Sequence, residues 1–278
     1  MNAKTFTAYA EDSSLRFPLA RFAPRFLGAL DPFLEALGRA NPESMNLVAE
    51  RLTALMRDET LSGLPPRSTE VDEVSIAACR YSDRYPELYA AHADLVRGLL
   101  GVDDETLLHG EDVELSQQRF IRVRYVPKYL MLLALSETIG RASAMEFMKS
   151  YLDTAIAKLP SRPDAPKTLE ELRGMQIEFN LQEQGMDWVQ AVIGPHQFLN
   201  KVTRCRIQIV LSQYDPELMD VVACYPDFAM FRHTNPSFVL TRTETLMNGG
   251  TCCDSCYHDQ RHVESFTHPP SSVFEELR

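Results

Sequence analysis

No run of lysine or arginine occurs anywhere in the 278 residues, and 28 basic side chains stand against 39 acidic ones for a net charge of -11. A nucleic-acid backbone needs a basic stripe to dock on, so nucleic-acid binding is not expected. Long apolar runs are missing as well. The longest, Tyr129 to Leu135, falls far short of the ~20 residues that span a bilayer, and the opening MNAKTFTAYAEDSSLRFPLA lacks a basic end followed by an apolar stretch. These absences predict no membrane association and a cytoplasmic protein. Cysteine is scarce: six residues, at 79, 205, 224, 252, 253 and 256, are too few and too unevenly spread to staple a small domain, so reduced thiols are expected. What remains is ordinary for a globular chain, 45% hydrophobic and 24% charged, which excludes disordered, collagen-like and repeat-only polymers and provides a core for one large or two modest domains.

From about residue 24 to residue 157 apolar side chains recur at spacings of three and four. Phe26, Leu27, Leu30, Phe33, Leu34 and Leu37 predict one amphipathic helix. Met45, Leu47, Val48, Leu52, Leu55 and Met56 predict a second, entered at Asn41-Pro42 with Glu43. After the breaker-rich stretch 61–69, helices resume over Tyr85 to Leu100, with Pro86 in the first turn, and over Val113 to Ile139 and Ala142 to Leu159, split by Gly140. Tyr125, Tyr129, Met131, Leu132 and Leu135 read as core. The three prolines of PSRPDAPK, 160–167, end the helical run, and the period then changes to two.

Met175, Ile177, Phe179 and Leu181 alternate with polar residues and predict a strand over 174–182. Further strands are expected at 187–194, 238–247 and 253–258, with helices at 205–214 and 216–225, the second entered through Asp215-Pro216-Glu217. Pattern alone leaves 197–204 open between strand and helix start. The expected fold is α+β, a helical N-terminal half followed by an antiparallel sheet covered by helices. Its expected domains are a helical extension over 1–115, an α+β domain over 116–262 and a tail over 263–278.

Three of the six thiols fall within five residues, beside a turn signal. Asn248-Gly249-Gly250 offers the positive-φ residues that a tight hairpin wants. With a two-residue turn, Arg242, Glu244 and Leu246 share one face with Cys253, Ser255 and Tyr257. The other face then holds Thr241, Thr243 and Thr245 with Cys252, Asp254, Cys256 and His258, and a three-residue turn would swap the second strand's faces. Cys253 is the candidate nucleophile. A free thiol titrates at about 8.5 and is activated by a cation or a paired base; Arg242 is the available cation, and Glu244 could serve as general base if burial lifts it toward neutrality.

Several of these residues have plainer readings. Cys205 lies on an apolar face as a core thiol, Cys224 ends an apolar helix, Asp227 after Pro226 opens a turn, and Arg242 with Glu244 would make an ordinary surface pair. Cys252, Cys253, Cys256 and His258 offer zinc ligands, but they form a single cluster, and three residues of one strand face cannot converge on one ion; no metal and no cofactor is expected. A Cys253-x-x-Cys256 disulfide lacks a thioredoxin-like βαβ around it. His109, His196, His233, His262 and His268 are scattered and read as surface or loop histidines.

The stretch Thr241-Arg242-Thr243-Glu244-Thr245-Leu246, followed by Gly249-Gly250, Cys253-Asp254 and Tyr257, resembles the C-terminal signature of the L-2-amino-thiazoline-4-carboxylic acid hydrolase family. Upstream, Cys205, Pro216-Glu217-Leu218, Cys224 and Asp227 follow the order that family shows. The resemblance covers roughly 120–260 and leaves about 115 N-terminal residues without a counterpart; Ser255-Cys256 departs from the aromatic residue that usually follows the Cys-Asp pair. It implies hydrolytic ring opening of a small cyclic amidine or thiazoline carboxylate. Cys253 would attack the amidine-type carbon or orient water at it, Arg242 would hold a carboxylate, and Glu244 or Asp227 would move protons. The candidate catalytic set is Cys253, Glu244, Asp227 and His258, and the candidate substrate-binding set is Arg242, Cys224, Tyr257 and Asp254. A small-molecule substrate is the expected partner, and the first hundred residues could dimerise the protein or lid the pocket. A small-molecule or metal-sensing module without turnover is the competing class, and a related lyase or cyclase a further one.

Overall fold

The computed structural model describes residues 2–11, 14–60, 79–103, 106, 112–161, 164–262 and 266–277. The breaker-rich stretch 61–69 and His109 lie outside them. The chain divides into two compact units, one of Asp12–Tyr151 and one that joins Met1–Glu11 to Leu152–Arg278.

The first unit is mainly helical. Leu19–Leu27 (α1) and Leu30–Ala40 (α2) replace the single helix expected through Phe26 to Leu37, because Gly28 ends α1 by closing its N–H onto Pro24 O at 2.9 Å. A 3-10 turn, Pro42–Ser44, leads into Met45–Thr60 (α3), and Pro86–Leu100 (α4) carries its proline in the first turn. Ser14–Pro18 (β2) pairs antiparallel with Asp112–Ser116 (β3), which removes 113–116 from the helix expected there. Gln117–Ile139 (α5) therefore starts later, at Ser116, whose Oγ accepts from Arg119 N at 3.3 Å. Phe33, Leu34 and Leu37 of α2, Val48 and Leu52 of α3, and Val126, Leu132 and Leu135 of α5 are fully buried. Arg141–Ala157 (α6) follows, and the division between the units falls within it.

The second unit is built on a five-stranded sheet of Asn2–Thr7 (β1), Met186–Gly194 (β4), Gln197–Cys205 (β5), Phe238–Thr241 (β6) and Cys253–Asp259 (β7), in the order β1-β4-β5-β7-β6 with every pair antiparallel. Residues 197–204 are thus strand. Residues 174–182 are not: Leu169–Glu183 (α7) is a helix. Its start is a capping box, in which Thr168 Oγ1 accepts from Glu171 N at 3.1 Å and the Glu171 carboxylate reaches back to Thr168 N. The alternation over 175–182 is fortuitous, since Leu169, Leu172, Met175 and Ile177 turn inward while Phe179 and Leu181 are 57% and 46% exposed. The fifth strand comes from the chain's opening residues instead.

Three helices follow β5: Arg206–Val210 (α8), Pro216–Ala223 (α9) and Pro226–Thr234 (α10). Asp215 caps α9 as its sequence suggests, with Oδ1 accepting from Glu217 N at 3.1 Å and Leu218 N at 3.2 Å. Pro226 opens α10 rather than only closing α9, because a proline at the first helical position forfeits no hydrogen bond. Ser271–Glu275 (α11) lies near the C-terminus.

Register sets what each sheet face carries. On one face three rows cross the strands: Phe6, Trp188, Val202 and Cys253; Lys4, Gln190, Asn200 and Ser255; Val192, Phe198, Tyr257 and Leu240. α7 and α10 cover it, with Leu169, Leu172, Phe228 and Phe231 packed on Phe198, Leu240 and Tyr257. The opposite face packs Val189, Ala191, Leu199 and Cys256 against Phe274 and Leu277, where Lys201 Nζ donates to Phe274 O at 2.8 Å and Leu277 O at 3.0 Å.

Candidate active site

Inward of the exposed Lys4, the middle row of the helix-covered face is polar and buried. Gln190 is 2% exposed, Asn200 6% and Ser255 1%. Just past the end of β6, Arg242 completes the row by donating from Nε to Ser255 Oγ at 3.0 Å. α7 adds Gln176, which shares a helical stripe with Leu169 and Leu172. The Gln176 and Asn200 side chains face the Tyr257 hydroxyl and hold its pKa down slightly, but burial outweighs them and pushes it up to about 12. Among the described residues neither end of the Gln190 amide has a partner, and neither have Gln176 Oε1, Asn200 Oδ1 and Trp188 Nε1. Each unmatched buried polar atom costs about 1–3 kcal/mol, so the row opposes folding where an apolar one would favour it.

Arg242 is held on three sides. Besides Ser255, its Nη2 donates to Asp227 Oδ2 at 2.9 Å and its Nη1 to Cys224 O at 3.4 Å, and the guanidinium lies 5.6 Å from the Phe228 ring centroid. Its side chain is 8% exposed against 46% for that of Asp227. Burial pulls the guanidinium pKa down, but Asp227 outweighs it and keeps Arg242 charged. Cys205, Cys224 and Cys253 all feel this pair electrostatically.

The Cys253 thiol departs from the sequence expectation. Burial pushes its pKa up to about 12, although Leu246 N donates to Sγ at 3.3 Å and Arg242 pulls the other way. The guanidinium is already neutralised by Asp227, so desolvation wins. Burial likewise raises Cys205 and Cys224. The resting thiols are protonated.

The expected two-residue hairpin is a longer loop, 242–252. β6 stops at Thr241 because the Asp254 carboxylate takes the place of a strand partner, Oδ1 accepting from Thr243 N at 2.9 Å and Glu244 N at 2.7 Å. The loop turns through 245–250, with Gly249 at φ +80 and Gly250 N donating to Thr245 O at 2.8 Å. A Cβ on Gly250 would come within 2.2 Å of Glu244 Cγ and 2.7 Å of Thr245 O, so the close approach admits only glycine. The Glu244 carboxylate is engaged by Thr251 N. Even-to-odd pairing nevertheless holds, Leu240 opposite Tyr257 and Thr241 opposite Cys256, and Arg242, Cys253, Ser255 and Tyr257 share one face.

Asp254 and His258 come together on the other face, away from Cys253. Gln197 Nε2 donates to His258 Nδ1 at 3.0 Å, His258 Nε2 lies 2.9 Å from Thr241 Oγ1, Thr241 Oγ1 lies 3.0 Å from His268 Nδ1, and His268 Nε2 lies 2.9 Å from Asp254 Oδ2. With His268 donating to the carboxylate, every donor in this chain meets an acceptor. Burial and the neighbouring His268 lower the His258 pKa. The strand pleat thus separates these two candidates from Arg242, and Asp254 is linked to the loop that carries Arg242 through the Thr243 and Glu244 N–H groups, the Thr243 hydroxyl and its own N–H on Glu244 O. Cys252 and Cys256 also lie across the sheet from Cys253, which splits the four ligands weighed for zinc. His196, Asp259 and His262 do bring three ligand atoms within 4.8 Å of one another, but Asp259 there holds Arg261 at 2.6 Å.

The sequence reading missed Gln176, Gln190 and Asn200. Gln190 and Asn200 were legible as inward positions of alternating strands occupied by amides, and Gln176 was hidden by the strand assigned over it. His268 carried no local signal for this role, since its hydrogen-bond partners Asp254 and Thr241 lie 14 and 27 positions away.

Residues 118–257, just over half of the chain, match the family model for L-2-amino-thiazoline-4-carboxylic acid hydrolase. The matched span includes Gln190, Asn200 and Ser255 of the polar row, the Arg242–Asp227 pair and all three thiols around it, and leaves out Lys4, His258 and His268. No curated protein and no solved structure gives a significant match.

Proposed function

The chain belongs to the L-2-amino-thiazoline-4-carboxylic acid hydrolase family, and on that premise we propose that it hydrolyses a small cyclic amidine or thiazoline carboxylate at the Cys253–Arg242 site. One observation carries the reading: a buried guanidinium, fixed by Ser255 and Asp227, shares a sheet face with a thiol one row away. Among the described residues, two of its N–H groups have no partner beyond the bonds to Ser255, Cys224 and Asp227, enough to take a carboxylate.

The net reaction consumes one water. Cys253 sulfur bonds to the amidine carbon as that carbon's bond to the ring sulfur or nitrogen breaks, and the thiol proton passes through Asp227 to the departing heteroatom. Water then displaces the Cys253 sulfur, its oxygen staying on the carbon, one proton restoring the thiol and the other remaining on the product. Asp227 suits the proton transfer because it is partly exposed and paired with Arg242. Glu244, engaged by Thr251, holds the loop. Free cysteines support a reducing compartment, and we place the protein in the cytoplasm.

Incubation with L-2-amino-thiazoline-4-carboxylic acid tests this. Release of a free thiol reports C–S cleavage and release of an amine C–N cleavage. Cys253→Ala and Arg242→Ala are each expected to lower the rate at least ~100-fold while remaining folded. Full turnover by either folded variant would remove the mechanism. The high Cys253 pKa favours one alternative, capture of the same ligand without turnover, which predicts stoichiometric binding and no product.

A further inference from the structure

We propose that the buried amides of Gln190, Asn200 and Gln176 are the recognition end of this site, taking the donor-rich edge of a planar amidine or amino-substituted ring while Arg242 holds the ligand's anionic end. The proposal rests on the reading of Arg242 as a carboxylate anchor and goes beyond it, since nothing in that reading assigns a role to the three amides.

Three facts carry it. First, register places Gln190, Asn200 and Ser255 directly opposite one another on consecutive strands, with Arg242 bonded to Ser255, so all four lie on one line across the face. At about 4.8 Å per strand, Ser255 and Gln190 stand about 10 Å apart, and the guanidinium lies a further 3.0 Å beyond Ser255 Oγ, a span that one small ring with hydrogen bonds at both ends can bridge. Second, the unmatched atoms have a definite character. The oxygens of Gln176, Gln190 and Asn200 are acceptors, while Gln190 Nε2 and Trp188 Nε1 are donors. Whichever way its amide is turned, Gln190 presents one donor and one acceptor, the pattern that an N=C–NH2 edge matches in pairs. Third, the supports are fixed: Trp188 stacks on Phe6 at 4.6 Å, and Tyr257 stacks on Phe198 at 4.5 Å. A structural amide would be expected to find partners within the protein, whereas these atoms, though closed off from solvent between apolar rows, find none among the described residues.

The test is equilibrium binding of two probes, 2-aminothiazole-4-carboxylate and thiazole-4-carboxylate, which share the carboxylate and differ in the amino group. Wild-type protein is expected to prefer the amino compound at least ~10-fold. Gln190→Met should abolish the preference while leaving affinity for thiazole-4-carboxylate within about twofold, and should not lower the melting temperature, because it removes unmatched polar atoms. Gln176→Leu, which continues the Leu169–Leu172 stripe of α7, gives a second variant should Gln190→Met fail to fold. Arg242→Lys should weaken both probes equally. Equal binding of the two probes to wild type, or a preference that survives in both amide variants, would overturn the proposal. Loss of turnover of the thiazoline with the probe preference intact would sink the hydrolase reading alone.

Discussion

Asp254 shows how one side chain can shape a site it does not enter. Burial alone would raise its pKa, but bonds from Thr243, Glu244 and His268 outweigh burial and hold the carboxyl below its ordinary value. A carboxyl with a folded pKa below its unfolded value of about 3.9 binds fewer protons when folded, so its contribution to stability is present above that value and is lost as pH falls through the folded pKa. Asp254→Asn can keep Oδ1 for the Thr243 and Glu244 N–H groups but loses the anionic oxygen facing His268 and the Thr243 hydroxyl. It is expected to lower stability at neutral pH by about 1–3 kcal/mol and to flatten the decline between about pH 5 and pH 3. Urea midpoints across that range check it; a variant whose profile runs parallel to the parent's would refute the role. The shared face of Arg242 and Cys253 was readable from strand alternation, because pleat parity is local. The state of the thiol was not, since it depends first on burial and then on how far Asp227, carried by a helix remote in sequence, offsets the guanidinium.

The loop 242–252 and the helix α7 make opposite demands on glycine. Gly250→Ala must push aside Glu244 and the Thr245 carbonyl, so it should destabilise by about 1–3 kcal/mol and displace Arg242 with the loop. Gly174, mid-helix in α7 with nothing within 4 Å of an added Cβ, is the matching control: Gly174→Ala should stabilise by about 0.5–1 kcal/mol. Thermal unfolding of the pair gives both signs, and a stable Gly250→Ala would mean that the close approach is not needed. α7 also shows why a period-two pattern misleads when read alone. The Thr168–Glu171 box specifies a helix start in four residues, and a helix tolerates exposed Phe179 and Leu181, whereas a strand would have needed all four alternating side chains inside.

The sheet unit is discontinuous, closed by residues from the far end of the chain. β1 pairs with β4 over six residues, from Asn2 opposite Val192 to Thr7 opposite Asp187, and Phe6 stacks on the fully buried Trp188. A chain lacking residues 1–11 should lose about 3–5 kcal/mol from this unit, seen as faster amide exchange in β4 while β5 and β7 keep more of their protection. Unchanged exchange in β4 would show that the first strand is dispensable. The helix start at Asp215, the strand over 187–194 and the glycine turn are specified by neighbours a few residues apart and for that reason can be read from the amino-acid order, as can membership of a hydrolase family through the spacing around Cys253. The capping box at Thr168 is equally local but is masked by the alternation beyond it, and by pattern 197–204 stays open between strand and helix. Strand order, the pairing of Asn2–Thr7 with β4, the alignment of Gln190 with Asn200 and Ser255, and the separation of Asp254 and His258 from Cys253 depend on contacts between positions far apart in the chain, and on burial, which no local pattern encodes.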